Sequence, residues 1–265
     1  MIGVFDSGVG GLTVVKEIFK QLPQYQIIYF GDTARLPYGT KGADFVQRYS
    51  VKITDWLLKN GAKIIVVACN TSSAWASDLL KKRFPNTPIF EMITPAIDDI
   101  NNNHNFKRIG LIGTPGTIKS LAYQRRISKQ NQNLKIFTQS CPLFVPLVEE
   151  GKTSGPVVEQ ICKEYLDNLK DKNIQALVLA CTHYPLLKKT IQKIIGNDIK
   201  IINPAESLAE EMKAFLQNNP KIEKQIKKGS AHQFFFSDEP YNFEKIKNLC
   251  FGKNFKKPLK VLTGF

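Results

Sequence analysis

The sequence has no apolar run approaching the roughly 18 residues of a membrane-spanning helix. Its first residues, MIGVFDSG, carry no basic segment ahead of an apolar one and reach an acid at Asp6. A cytoplasmic protein with no membrane partner is expected. There is no CxxC pair. The five cysteines (Cys69, Cys141, Cys162, Cys181, Cys250) are odd in number, and a chain of 265 residues builds a core without disulfide staples, so reduced thiols are expected. Arginine is scarce: six (Arg35, Arg48, Arg83, Arg108, Arg125, Arg126) among 37 basic residues. That scarcity argues against a nucleic-acid groove despite a net charge of +14, because Arg is the side chain that reads phosphates and base edges in bidentate fashion. The lysines scatter in twos over helix faces, as on a solvated surface, and no nucleic-acid partner is expected. A basic surface would still draw in an anionic small substrate.

What remains is ordinary globular composition, with 43% apolar, 10% aromatic and 23% charged residues. Apolar runs of strand length alternate with amphipathic stretches, the pattern of parallel strands joined by crossover helices. Strands are expected at Ile2–Phe5, Ile27–Phe30, Ile64–Ala68, Ile89–Met92, Ile109–Ile112, Ile136–Thr138, Leu177–Ala180 and Ile199–Ile202, with a last one at Gln233–Phe236. Helices are expected at Gly11–Gln21, Lys41–Asn60, Ser73–Arg83, Val157–Lys170, Pro185–Ile195, Ala205–Gln217 and after Glu239. The strands also repeat in order. IGVFDSG from Ile2 matches IGLIGTP from Ile109, QIIYFGD from Gln26 matches LKIFTQSC from Leu134, and IIVVACNT from Ile64 matches ALVLACTH from Ala176, at offsets of 107, 108 and 112 residues. Three collinear matches, the last aligning Cys69 with Cys181, predict two similar α/β half-domains.

In open parallel sheets ligands bind beyond the carboxyl ends of the strands. The loops there are Asp6-Ser7-Gly8, Gly31-Asp32-Thr33 running on to Pro37-Tyr38-Gly39, and Cys69-Asn70-Thr71, with Gly113-Thr114, Cys141-Pro142 and Cys181-Thr182-His183-Tyr184 in the second half. The GVGG loop (Gly8, Gly10, Gly11) fails the dinucleotide fingerprint, since Thr13 stands at the third glycine position and Asp32 comes late for the acidic residue. It is read as a cradle for a small anion at a helix N-terminus. No GxxxxGK[ST] loop is present.

Cys69 and Cys181 each end a buried strand where a helix should begin, a setting that lowers a thiol pKa toward neutrality. A single strand-end cysteine is usually inert core, but two at matching places in two halves would point into one cleft from opposite sides if the halves face each other across a pseudo-two-fold axis. Cys69, Cys181 and His183 show no metal-ligand spacing beyond a CxH, so no metal is expected. A phosphatase loop would need Arg six residues after the cysteine, where Trp75 and Leu187 stand. A cysteine hydrolase leaves the second thiol unused. Two separated thiols suit proton transfer at a carbon, one removing a proton from one face while the other delivers to the opposite face. Asp6 is placed to serve Cys69 and His183 to serve Cys181, whereas His104 lies in a polar run and His232 near the terminal strand. Glu149 and Glu150 follow the apolar FVPLV and read by default as a helix-surface pair, with reach into the cleft left open for Glu149.

DSGVGG at Asp6, GDTARLPYG at Gly31, ACNTSSA at Ala68 and LACTHYPLL at Leu179 together resemble the glutamate racemases of the aspartate/glutamate racemase superfamily. The resemblance runs from Ile2 to about Ala205 and leaves the last 60 residues without a signature. It implies cofactor-independent, two-base interconversion of L- and D-glutamate, supplying D-glutamate for peptidoglycan. It implies Cys69 and Cys181 as the acid/base pair, Cys69 acting on the D- and Cys181 on the L-enantiomer, with Asp6, Glu149 and His183 assisting. Asp6, Ser7, Tyr38, Gly39, Asn70, Thr71, Thr182 and His183 would line the substrate site. The implied fold is two Rossmann-like (flavodoxin-like) parallel-sheet domains related by a pseudo-two-fold axis, residues 1–94 with 207–265 and residues 95–206. The implied partner is the small-molecule substrate alone, with a homodimer left open.

Overall fold

The computed structural model describes residues 1–103, 106–241, 243–252 and 259–262. Strands β1 (Ile2–Asp6), β2 (Ile27–Gly31), β3 (Ile64–Val67) and β4 (Ile89–Glu91) alternate with helices α1 (Leu12–Gln21), α2 (Ala43–Lys59) and α3 (Asn70–Arg83). Helix α4 (Ile93–Asn103) leads into the second half: β5 (Arg108–Gly113), α5 (Pro115–Lys119), α6 (Ala122–Gln130), β6 (Lys135–Ser140), α7 (Phe144–Glu149), α8 (Pro156–Lys170), β7 (Ala176–Ala180), α9 (Lys188–Ile195) and β8 (Lys200–Ile202). Then come α10 (Pro204–Asn218), α11 (Pro220–Glu223), β9 (Gln233–Phe236), α12 (Phe243–Phe251) and β10 (Leu259–Val261).

The strands form two parallel sheets, β10-β9-β2-β1-β3-β4 and β6-β5-β7-β8. Setting β1 against β5 and following the sequence repeat, the order β2-β1-β3-β4 recurs as β6-β5-β7-β8. The repeat seen in the sequence is thus a repeat of topology, enlarged on one edge of the first sheet by β9 and β10. Gln233–Phe236 is not the last strand: β10 pairs with it, Leu259 beside Phe234. Ile2, Val4, Ile64 and Val66 on one face of the first sheet share one core with Ile112, Leu177 and Leu179 of the second. The opposite face of the first sheet packs Phe5, Phe30 and Val67 against Ile53 and Leu57 of α2 and Leu80 of α3. Strands buried on both faces need continuous apolar sequence, which is why these runs carry no polar alternation.

Helix α4 leaves the first sheet and buries Ile93, Ala96, Ile97 and Ile100 with Ile109, Leu111 and Val178 of the second. Helix α3 starts three residues earlier than its periodicity suggests, because Cys69 is its N-cap and takes the Ser72 N–H on its sulfur at 3.5 Å. The FVPLV segment is helical, as α7. No helix among the described residues is long and apolar enough to cross a membrane.

Candidate active site

A narrow cavity of about 20 Å³, roughly the space of one water, lies where the carboxyl ends of the two sheets meet. Ser7 after β1 and Cys69 after β3 line it from one half, and Thr114 after β5 and Cys181 after β7 line it from the other. Both cysteines are buried, 5% and 6% exposed. A second hollow of about 310 Å³, walled by Pro37, Pro115, Pro146 and Glu149, shares Val145 and Thr114 with the first and forms its mouth. No lining residue of the enclosed cavity is Lys or Arg, so the basic surface does not extend into it.

Around Cys181 the groups form a chain. Its sulfur lies 3.8 Å from His183 Nδ1, and His183 Nε2 lies 2.5 Å from Glu149 Oε1. Burial opposes a charge on His183, but the hydrogen bonds to Cys181 and Glu149 and the Glu149 charge prevail and hold its pKa well above the usual value. Glu149 is therefore not half of a surface pair. Its neighbour Glu150 faces solvent and lies 3.9 Å from Lys245, whereas the end of α7 turns Glu149 onto the buried imidazole.

Cys69 sits in a different field. Its thiol is 3.8 Å from Ser7 Oγ. Burial pushes the thiol up to about 11, and the nearby Asp6 carboxylate adds to this, against the opposing hydrogen bonds with Ser72 and Ser7. The expected lowering by the helix terminus is thus overturned, because desolvation and a neighbouring negative charge outweigh one end of α3. Asp6 is wholly buried, and burial raises its carboxyl in spite of the nearby His183 and the N–H groups of Gly8 and Gly11. It takes the Gly8 N–H at 3.0 Å and the Thr182 hydroxyl at 3.3 Å and is not among the residues lining the cavity.

The anion-cradle reading of GVGG falls on the same facts: the carboxylate at the start of α1 is Asp6 itself. The glycines serve close approach. A Cβ on Gly10 would fall 2.5 Å from the Thr182 hydroxyl and onto the His183 ring, and one on Gly11 would lie 2.6 Å from Asp6 Cβ. Thr13 Oγ1 donates to the Thr182 carbonyl at 2.8 Å and ties the two halves together beneath the cavity.

The wall formed by Leu36, Pro37, Tyr38 and Gly39 is braced from behind. The Tyr38 hydroxyl donates to Asp32 Oδ2 at 2.5 Å, so this expected substrate residue offers its ring and backbone to the cavity rather than its hydroxyl. Asp32 also takes Arg35 Nη1 at 2.6 Å and Ser237 Oγ at 2.7 Å. Ser237 in turn receives the Ala34 N–H at 3.0 Å, so the residues after β9 hold this wall. Gly39 lies against Thr114, where a Cβ would come within 2.5 Å.

Asn70, Thr71, Thr182 and His183 all line the cavity. Thr114, which the sequence placed in a strand-end loop without a role, and Thr117, which it did not mark, complete a group with Thr71: the three hydroxyl oxygens lie 2.9 to 3.2 Å apart. Thr114, equivalent to Ser7 under the repeat, was the available signal. His232 instead accepts the Ile27 N–H at 3.2 Å and packs its ring on Phe19; His104 lies outside the described residues. No cluster of three or more metal-ligating side chains occurs among the described residues.

Two sheet halves that each present a cysteine to one closed cavity belong to a known architecture. The model of the Asp/Glu/hydantoin racemase family matches residues 2–212. The glutamate racemase of Geobacter metallireducens is 43% identical over 251 residues, 95% of this chain and 92% of that protein. The crystal structure of glutamate racemase from Francisella tularensis in complex with D-glutamate superposes with a TM-score of 0.89 at 38% identity, covering 98% of this chain and 96% of that one. The RacE1 isoform of Bacillus anthracis gives 0.92 at 34% identity, covering 99% and 97%. The protein is an isomerase of the racemase class. The chain belongs to the Asp/Glu/hydantoin racemase family.

Proposed function

We propose that the protein is a cofactor-independent glutamate racemase that moves the α-proton between Cys69 and Cys181 and supplies D-glutamate for peptidoglycan from the cytoplasm. The observation that carries this reading is the pair of cysteines at equivalent strand ends, both in the wall of one cavity. From L-glutamate, the Cys181 thiolate takes the α-proton and the Cys69 thiol donates its own to the opposite face of the carbanion. The products are D-glutamate, a Cys181 thiol and a Cys69 thiolate, and the reverse reaction exchanges the roles. His183 carries a proton 3.8 Å from Cys181, with Glu149 behind it, and is suited to reset that side.

The α-proton is very weakly acidic, so several kcal/mol must come from donors aimed at the developing carbanion. With no lining Lys or Arg, those donors include the hydroxyls of Ser7, Thr71 and Thr114. Neutral donors among buried side chains act at low dielectric, where each hydrogen bond counts for more. A Cys69 thiol near 11 is rarely ionised at neutral pH yet strongly basic once it is, as abstraction of a weakly acidic proton requires. The same reading divides the chain into residues 1–94 with 207–265, and 95–206, which agrees with α4 packing on the second sheet.

The test is incubation with L- or D-glutamate in deuterated water without added cofactor, following optical rotation and α-deuterium together. Inversion with deuterium uptake from both enantiomers is expected. A folded, reduced protein that changes neither enantiomer overturns the assignment.

A further inference from the structure

Asn70 is the first residue of α3, 2% exposed, and lines the cavity. Its side-chain amide is asymmetric in use. The Oδ1 end accepts the Tyr123 hydroxyl at 2.8 Å, whereas the buried Nδ2 end has no hydrogen-bond partner among the described residues. A buried N–H donor without an acceptor is costly and calls for one. The acceptor this cavity is built to receive is a carboxylate.

An amide presents oxygen or nitrogen after a half turn with almost no change of shape, so something must choose the end. Tyr123 is wholly buried on α6, in the half opposite to Asn70. Its one hydroxyl proton needs an acceptor, and Asn70 Oδ1 is the one it has. Turning the amide over would orphan that proton and set Oδ1 toward the substrate. Burial, with Glu91 nearby, holds the Tyr123 phenol well above its usual pKa, so it remains a donor.

We infer that Tyr123 is a positioning residue: by donating to Asn70 Oδ1 across the interface between the halves, it fixes the Asn70 amide with its N–H groups toward a substrate carboxylate. This rests on the reading of the cavity as the glutamate site. Tyr123 takes no part in moving the proton, so its loss belongs in KM rather than in kcat.

The experiment is a double-mutant cycle of Tyr123→Phe and Asn70→Ala, with KM and kcat measured for both enantiomers. Asn70→Ala loses a hydrogen bond to a charged group and is expected to raise KM about tenfold or more. Tyr123→Phe alone is expected to raise KM about fivefold with kcat within about twofold, and to change KM no further in the Asn70→Ala background. A purely structural tyrosine would raise KM by the same factor in both backgrounds, and that result overturns the inference. Asn70→Asp is the second arm, serving also if Tyr123→Phe does not fold. It keeps an acceptor for Tyr123 but replaces the N–H groups by a charged oxygen, so KM should exceed that of Asn70→Ala; a value at or below it overturns the inference. Wild-type turnover in the same series separates the two levels. No turnover of glutamate overturns the proposed function and the inference with it, whereas wild-type turnover with additive variants overturns the inference alone.

Discussion

Cys69 and Cys181 occupy the same station in their sheets, but their neighbours differ in sign: a buried carboxylate stands near one and an imidazole held in its charged form near the other. This asymmetry is open to titration. The Asp6 charge helps hold Cys69 near 11, so Asp6→Asn should lower that thiol pKa. In a Cys181→Ser background the ultraviolet thiolate absorbance of Cys69 should then appear at lower pH than with Asp6 present; an unmoved or raised midpoint contradicts this account. On the other side, the His183 pKa in the folded protein is raised above 6.5. The stabilisation it contributes is therefore complete below the unfolded value near 6.5 and is lost as pH rises through the higher folded value. Glu149→Gln removes part of the cause, so its melting-temperature deficit against wild type should be largest near pH 6 and shrink in alkaline solution. A deficit that grows with pH would contradict this sign.

The strands were legible because strands buried on both faces leave an unbroken apolar run, as in Ile64–Val67 and Ala176–Ala180. Short elements were not. Helices α5 and α7 span five and six residues, too few for a 3.6-residue period to register, and Pro146 inside α7 argues against a helix by propensity. Glu149 looked like a surface residue because its partner His183 is 34 residues away in the chain. Asp32 and Ser237, 205 residues apart, carry no pairing signal in one sequence, yet they brace the cavity wall. Removing a wholly buried carboxylate that serves Tyr38, Arg35 and Ser237 should be expensive: Asp32→Ala is expected to cost on the order of 3 kcal/mol by chemical denaturation. Ser237→Ala, which deletes one donor, should cost about 1 kcal/mol. Both should also raise KM, because the wall they hold contains Tyr38 and Gly39; stability loss with an unchanged KM would mean that the wall keeps its shape without them.

At the scale of the whole molecule, a duplicated β2-β1-β3-β4 order produces one site only because the two halves meet in a fixed relation. Thr13 to the Thr182 carbonyl, Thr182 to Asp6 and Tyr123 to Asn70 each cross from one half to the other, and all lie at or beneath the cavity. One close approach is at Gly10, where there is no room for a methyl group: its Cβ would meet the His183 ring and the Thr182 hydroxyl, both already held by other partners. A contact below about 3 Å must be relieved, either by parting the halves or by pulling His183 from Cys181 and Glu149. Neither half has to unfold for this. Gly10→Ala should therefore keep wild-type far-ultraviolet circular dichroism while kcat/KM falls about a hundredfold, the scale on which a misplacement of about 1 Å acts. Gly42→Ala, at a position with nothing within 4 Å of the added carbon, is the matched control and should leave both quantities unchanged. If Gly10→Ala were as active as the control, the halves would be free to shift by the width of a methyl group. A two-cysteine mechanism that depends on fixed faces would then lose its structural basis.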